Sequence, residues 1–147
     1  MSDLIYAAND KALENLGLYG FDALSELDKV IATVFAIEAE VNNGGFDQFF
    51  FNSSGDLAFY APTALVAIGA FEIAKIARKA NLIFGSDGPH QDWHKRTQKL
   101  FSFNDKFESY LEDLDDQFYK YPNDLGALLE AYILKNTTDD DEVITDE

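Results

Sequence analysis

The sequence predicts an all-α protein, a single-domain helical bundle of about six to eight helices with a broken-helix turn at Asn42 to Gly45. Three observations lead to this prediction. Apolar residues recur at helical spacing along most of the chain, and no segment shows the strict alternation of a strand. Amides, glycines and prolines separate the periodic segments. The 147 residues are 47% hydrophobic and include 13 Phe and 7 Tyr, which is enough for one hydrophobic core.

The first helix is predicted from about Asp3 to Leu16, and the second from Ser25 to Val41. Ser25 and Asp28 have the spacing of a capping-box-like start, and apolar residues then recur on one helical face. These residues are Leu24, Leu27, Ile31, Val34 and Val41. The following Asn-Asn-Gly-Gly is the strongest break signal in the chain, because Asn tolerates and Gly readily adopts the left-handed conformation that ends a helix.

A short helix is predicted directly after this break. Phe46, Phe49 and Phe50 lie at i, i+3 and i+4, on one helical face, and Asn52-Ser53-Ser54-Gly55 competes for backbone groups and ends the helix. The next helix is predicted from Pro62 to about Ala80, since proline suits a first helical turn. Its small residues and its large apolar residues predict a helix that the others nearly encircle.

The last third of the chain is also predicted to be helical. A loop over residues 81–92 is indicated by its two glycines and its proline. Three helices follow, over Trp93 to about Phe101, Asp105 to about Tyr119 and Pro122 to about Lys135. Residues 136–147 are polar and acidic and are predicted to form a disordered tail, so the helical domain spans residues 1–135.

The polar residues around the break admit two interpretations. They are Glu40, Asn42, Asn43, Gln48 and Asn52. In the first interpretation, which the sequence favours, they satisfy backbone N–H groups freed where two helices break, and the phenylalanines anchor the turn in the core. In the second, they line a small-ligand pocket or an enzyme site. An amidase or transferase also needs a nucleophile and a base, and this block offers only Ser53 and Ser54, without a histidine.

The same block resembles a family signature. Read from Glu40 to Gly55, Glu-x-Asn-Asn-Gly-Gly-Phe-x-Gln-Phe-Phe-x-Asn-Ser-Ser-Gly is similar to that of a family of small acidic all-helical proteins known as a domain of unknown function. One characterised kind in this family is a DNA-mimic protein. The resemblance extends from about Ser25 to about Asn136 and implies a structural role for the signature, a partner protein bound through surface carboxylates, and a homodimer. The matching positions are Glu40, Asn42, Asn43, Gly44, Gly45, Phe46, Gln48, Phe49, Phe50, Asn52, Ser53 and Gly55.

The charge of the chain argues against nucleic acid as a direct ligand. Its 27 acidic and 11 basic residues give a formal net charge of −16, which repels phosphate. The charge is uneven, because the residues from Phe101 onward include fourteen acidic and three basic side chains. A basic protein is the partner that such a charge favours.

The predicted helix from Asp105 to Tyr119 is the candidate partner-binding site. It has an apolar face and, beside it, an acidic stripe that consists of Asp105, Glu108, Glu112, Asp113, Asp115 and Asp116. These carboxylates span about 16 Å, in which a DNA strand presents roughly five phosphates. The stripe therefore suits a basic surface such as the recognition-helix face of a helix-turn-helix regulator. The other interpretation is that the acidic face serves only solubility.

The two histidines raise the question of a metal site. His90 and His94 are four residues apart, with Asp87 and Asp92 close in sequence. Pro89 places His90 in a loop or at a helix start and no third ligand is evident, so surface or capping roles are favoured. The tail segment Asp139-Asp140-Asp141-Glu142 lacks the glycine and the spacing of a calcium loop. We predict no metal and no cofactor.

These observations predict an acidic protein-binding module that resembles a DNA mimic and sequesters a DNA-binding protein such as a helix-turn-helix regulator. The alternative is a small-ligand-binding protein or enzyme with its site at the Glu40 to Asn52 turn. The chain has no cysteine, no secretory leader pattern and no apolar run long enough for a bilayer. A cytoplasmic protein without a membrane span is therefore expected.

Overall fold

The computed structural model describes residues 1–103 and 105–137, and over these residues the chain forms seven α-helices and no strand. This confirms the predicted all-α class. The helices are α1 (Asp3–Tyr19), α2 (Glu26–Phe51), α3 (Ala61–Ala67), α4 (Phe71–Asn81), α5 (Trp93–Phe101), α6 (Asp105–Tyr119) and α7 (Leu125–Asn136). Short 3₁₀ helices cover Phe21–Ala23, Ser53–Tyr60 and Leu82–Phe84. Of the predicted tail, Asn136 ends α7, and residues 138–147 lie outside the described part.

Helix α2 is the centre of the bundle. It packs against α1, α3, α5, α6, α7 and the 3₁₀ helix Ser53–Tyr60. Five consecutive residues from Val30 to Val34 are buried, which is typical of a helix surrounded on all sides. The other helices therefore take their positions from α2.

The start, break and end of α2 follow the sequence signals. Ser25 is its N-cap and accepts a hydrogen bond from the backbone N–H of Asp28 at 3.1 Å, as predicted. Gly44 (φ −158°, ψ 15°) and Gly45 (φ 82°, ψ 179°) leave the helical conformation, and the helix resumes at Phe46. It ends at Phe51 with Asn52 as C-cap. The predicted broken-helix turn is thus a kink inside one element.

The predicted continuous helix from Pro62 to Ala80 is wrong, because the chain forms two helices there. Helix α3 ends in a Schellman motif: Gly69 (φ 85°) donates to Val66 O and Ala70 donates to Leu65 O. Helix α4 starts at Phe71, directly after this turn. This pair is not encircled either, since Val66 is 44% and Phe71 is 58% exposed. The central position belongs to α2.

Helix α7 starts later than Pro122, where the sequence had suggested its beginning. Asp124 is its N-cap and accepts from Ala127 N–H at 3.1 Å. The preceding Asn123 has another use, because its Oδ1 accepts from the N–H of Ile73, in the first turn of α4, at 2.9 Å. Asn123 and Asp124 therefore cap two different helices and do not extend α7 toward Pro122.

Arg96 joins the end of α2 to the rest of the bundle. Its side chain is 0% exposed, and Nε and Nη2 donate to the carbonyl oxygens of Phe50 at 2.6 Å and Asn52 at 3.0 Å. These carbonyls belong to the helix end, which has no further turn to bond to. Nη1 reaches Asp56 Oδ1 at 2.9 Å and the carbonyl oxygens of His90 and Gln91. One buried guanidinium thus satisfies acceptors from three segments.

Gly55 is the residue that makes room for this guanidinium. A Cβ atom at this position would contact Phe49 O and lie 3.0 Å from both Nε and Nη2 of Arg96. No larger residue fits without moving the backbone, so the glycine is required by close approach.

We predict that Arg96→Met lowers the free energy of unfolding by about 3 kcal/mol or more, because it leaves buried carbonyls and Asp56 without their donor. Arg78→Met is the matched control, since Arg78 is exposed on α4 and should change stability by less than about 0.5 kcal/mol. Urea denaturation of both variants measures the difference. Equal stability of the two variants would contradict the role given to Arg96.

Candidate functional site

Glu40 organises the polar part of the signature block. Its Oε1 accepts from Gln48 Nε2 at 3.1 Å, and its Oε2 accepts from Asn52 Nδ2 at 3.0 Å and from Ser54 Oγ at 2.6 Å. Gln48 also accepts from Asn43 Nδ2 at 3.3 Å. This network ties the helix before the kink to the end of α2 and the 3₁₀ helix after it.

Tyrosines after and at the end of α6 hold the first half of the kink. Tyr119 OH donates to Val41 O at 3.0 Å, and Val41 precedes the break. Asn42 Nδ2 donates to Tyr121 OH, which in turn donates to Glu38 Oε2 at 3.2 Å. The kink is therefore bonded from outside α2 as well as from within it.

The phenylalanines of the block form the core beneath the kink. Phe46, Phe49 and Phe50 are each 0% exposed. The Phe46 ring lies edge-on to Phe118 of α6 at 6.0 Å, and the Phe50 ring edge-on to Phe84 at 4.9 Å. The predicted anchoring role agrees with these contacts.

One detail of the predicted structural role is wrong. The freed N–H groups were expected to bond to the Asn side chains and Glu40, but Glu40 accepts from side chains instead. The N–H of Phe46, the first residue after the break, donates to Asp115 Oδ1 of α6 at 2.8 Å. The carboxylate thus acts as an N-cap supplied by another helix.

This contact separates Asp115 from the rest of the acidic stripe. Asp105, Glu108, Glu112, Asp113 and Asp116 are exposed, whereas Asp115 is half-buried against the kink. Asp113 accepts from Gln117 Nε2 at 2.9 Å. The exposed part of the acidic stripe therefore consists of the other five carboxylates, without Asp115.

The environment of Asp115 alters its proton affinity. Burial raises its pKa to about 6, although the hydrogen bond from Phe46 N–H acts in the opposite direction. The negative charges of Asp116, Asp47 and Glu112 add to the rise. Asp115 is thus a structural carboxylate with like charges around it.

A small cleft lies beside the contact between the kink and α6. It has a volume of about 350 Å³ and is lined by four carboxylates, those of Asp47, Glu108, Glu112 and Asp115, with Phe103 and Phe107 among its apolar side chains. Asp47 therefore extends the acidic surface from α6 onto α2.

The histidines have no common ligand geometry with their neighbours. His90 Nδ1 accepts from the N–H of Asp92 at 3.1 Å, and Asp92 is the N-cap of α5, accepting from the N–H groups of His94 and Lys95. Within residues 1–103 and 105–137, no group of three or more His, Asp or Glu side chains is arranged to hold a metal ion. In the same part of the chain, no helix combines the length and the apolar character that crossing a membrane requires.

Sequence reasoning missed two residues of this region, Arg96 and the inward role of Asp115. For Asp115 a signal existed, because it lies four residues after Leu111 and three before Phe118, on the apolar face of α6. For Arg96 there was none, since two of its acceptors, the Asp56 carboxylate and the Phe50 carbonyl oxygen, lie 40 and 46 residues away in the sequence.

We predict that Gly45→Ala destabilises the protein by about 1 kcal/mol or more, and that Gly44→Ala costs less. Gly45 has a positive φ, and its added Cβ would contact the Asp115 carboxylate. Gly44 has an extended φ, and its added Cβ would meet the Gln48 side chain, which can rotate away. Denaturation midpoints measure both variants. A larger loss of stability for Gly44→Ala than for Gly45→Ala would contradict the assignment of the constraint to Gly45.

We predict that Asp115 makes stability fall as pH rises from about 4 to about 6. Its pKa is about 6 in the folded chain against an ordinary value of 3.8, so the folded state holds the proton more tightly. The contribution is complete below about pH 4 and lost above about pH 6, with a slope of at most about 1.4 kcal/mol per pH unit. Denaturant titrations at several pH values give this slope.

Asp115→Asn removes the titration but keeps an oxygen that accepts from Phe46 N–H, so its stability should vary less between pH 4 and 6. Asp113→Asn is the matched control, because Asp113 is exposed on the same helix, is not among the charges that raise the pKa of Asp115, and should leave the slope in place. Parallel pH profiles for Asp115→Asn and the parent would refute the assignment.

Comparison with known families agrees with this picture. A family model described as DMP19-like protein matches residues 22–136, a range that contains the kink, the buried Arg96 and α6. A search of curated proteins and a search of solved structures each found no match. The match covers most of the chain, and the chain therefore belongs to the DMP19-like family.

Proposed function

We propose that this protein uses the acidic surface of α6 to bind a basic protein surface that otherwise binds DNA, and so keeps a DNA-binding protein such as a helix-turn-helix regulator from its DNA. The observation that supports this most directly is the row Glu108, Glu112 and Asp116. These exposed carboxylates recur at every turn on one side of a helix. They form no ion pair with any basic side chain that the structure describes.

The length of the row suits a phosphate mimic. From Asp105 to Asp116 the helix rises by about 16 Å, and a DNA strand presents roughly five phosphates over that length. A surface that binds phosphates with Lys and Arg would meet carboxylates at a similar linear density.

Asp47 and the cleft beside it widen the acidic surface beyond a single row. The half-buried rings of Phe103 and Phe107 line the same cleft. Charge attracts many basic proteins, whereas a shaped cleft with apolar walls favours a partner whose side chain fits it. We propose that the cleft contributes to the choice of partner.

The family supports this proposal in general terms, since the signature resembles that of a family with a DNA-mimic member. The competing site at the Glu40 to Asn52 turn has less support, because the side-chain amides of Gln48 and Asn52 already donate to Glu40. A role in solubility alone remains the simplest competitor, and the following experiment separates it from mimicry.

We predict that the triple variant Glu108→Gln, Glu112→Gln, Asp116→Asn loses binding to a DNA-binding protein captured by the parent from native cell extract. The matched control is Asp10→Asn, Glu14→Gln, Asp22→Asn, which removes three exposed charges from α1 and its following turn. Capture at low and high salt, followed by elution with duplex DNA, measures the effect. For the parent, added DNA should displace the partner, and salt should weaken the complex steeply.

The triple variant should fold at least as well as the parent, since like charges at i, i+4 are removed. Equal loss of partner binding in both variants would mean that net charge alone acts. Simultaneous binding of DNA and this protein to the partner would exclude mimicry.

The chain itself should not shift duplex DNA at physiological salt. Sedimentation of the same samples tests the homodimer that the family resemblance implies.

A further inference from the structure

A groove of about 860 Å³ lies between α1, α2 and the 3₁₀ helix Ser53–Tyr60, on residues that the proposed function does not use. None of its lining residues belongs to α6. Its walls are mostly apolar and include Leu13, Leu16, Phe21, Phe35 and Ala39. Leu13 is 45% exposed, so the groove opens to solvent.

One end of the groove is acidic. Glu40, Asp56 and Asp92 line it together with Ser53 and Ser54. Arg96 pairs with Asp56, and no basic side chain in the described residues forms an ion pair with Glu40 or Asp92. In a protein of net charge −16, this end of the groove attracts a cation.

The groove also has a polar group that lacks a partner. Asn9 lines it, is 4% exposed, and its Oδ1 finds no hydrogen-bond donor among the described residues. Thr33 Oγ1 of α2 is also buried and lacks a hydrogen-bond partner among the described residues. A buried acceptor without a donor is costly, and such groups are rare in folded proteins. If the Asn9 amide rotates so that Oδ1 faces the groove, the N–H group of a bound ligand donates to it and removes this cost.

We propose that the groove binds a small amphiphilic cation: an aromatic amine whose ring packs on the apolar walls, whose ring N–H donates to Asn9, and whose ammonium lies at the Glu40 and Asp92 end. The three requirements come from three features, the apolar walls, the acceptor without a partner, and the carboxylates of Glu40 and Asp92, which accept hydrogen bonds but form no ion pair among the described residues. Concave apolar sites with a few polar groups of this kind are typical of small-molecule binding.

A set of matched probes tests the proposal on the full chain. Tryptamine, tryptophol and indole-3-propionate share one ring and differ in charge, and 1-methyltryptamine keeps the ammonium but lacks the ring N–H. Titrations followed by amide chemical shifts should show tryptamine binding about fivefold more tightly than tryptophol, the scale of one exposed charge pair. Indole-3-propionate should not bind, and 1-methyltryptamine should be weaker than tryptamine.

Variants locate the site. Ala39→Trp fills the groove from an exposed position and should abolish binding, whereas Ala127→Trp, at an exposed alanine of α7 outside the groove, should not. Asn9→Ala should remove the preference for tryptamine over 1-methyltryptamine. It should not lower thermal stability, because the lost oxygen had no partner.

Several results would overturn the proposal. Equal affinity for the three differently charged probes would refute the cation, and binding that survives Ala39→Trp would refute the groove. A change of oligomeric state in Ala39→Trp, without any binding of tryptamine to the parent, would assign the groove to a second copy of the chain. The outcomes are independent of the α6 variants, so the proposed function and this site can fail separately.

Discussion

The hydrogen bond from the Phe46 N–H group to Asp115 is the contact on which the arrangement of α2 and α6 depends. A helix broken in its middle leaves donors and acceptors without partners deep in the protein. Here Asp115 accepts from the restarted helix, and Tyr119 donates to the carbonyl oxygen of Val41 before the break. Because both partners belong to α6, satisfying the break also fixes α6 against α2. The helix that carries the acidic stripe is therefore positioned by a backbone requirement.

The far end of α2 is closed by a similar device with the opposite charge. Arg96 donates to the carbonyl oxygens of Phe50 and Asn52, and the indole N–H of Trp93 donates to Phe51 O at 2.6 Å. A carboxylate thus serves a helix start and a guanidinium serves a helix end, as the helix dipole favours. Glu40 joins the two regions through Gln48 and Asn52. The signature block is a scaffold whose polar residues bond mainly to one another.

The parts of this fold that could be predicted from sequence are those set by local signals. Ser25 caps α2, the Asn-Asn-Gly-Gly segment breaks it, and α5 and α6 have the predicted bounds, since periodicity and caps act within a few residues. The break after α3 and the late start of α7 were missed. The predicted helix from Pro62 to Ala80 ran through Gly69, and Asn123 caps a helix 50 residues away. Long-range acceptors leave no spacing that a single sequence can display.

The acidic surface runs against stability, and this favours a role in binding. Like charges at i, i+4 along α6 oppose helix formation. The pKa of Asp115 is raised mainly by burial, and the negative charges of Asp116, Asp47 and Glu112 add to the rise. Solubility needs net charge but does not need it in one row, and fourteen of the 27 acidic residues lie in the last third of the chain. The row of like charges on α6 costs free energy, and the contact at the kink holds this row in place. A binding partner that requires the row explains it more readily than solubility does.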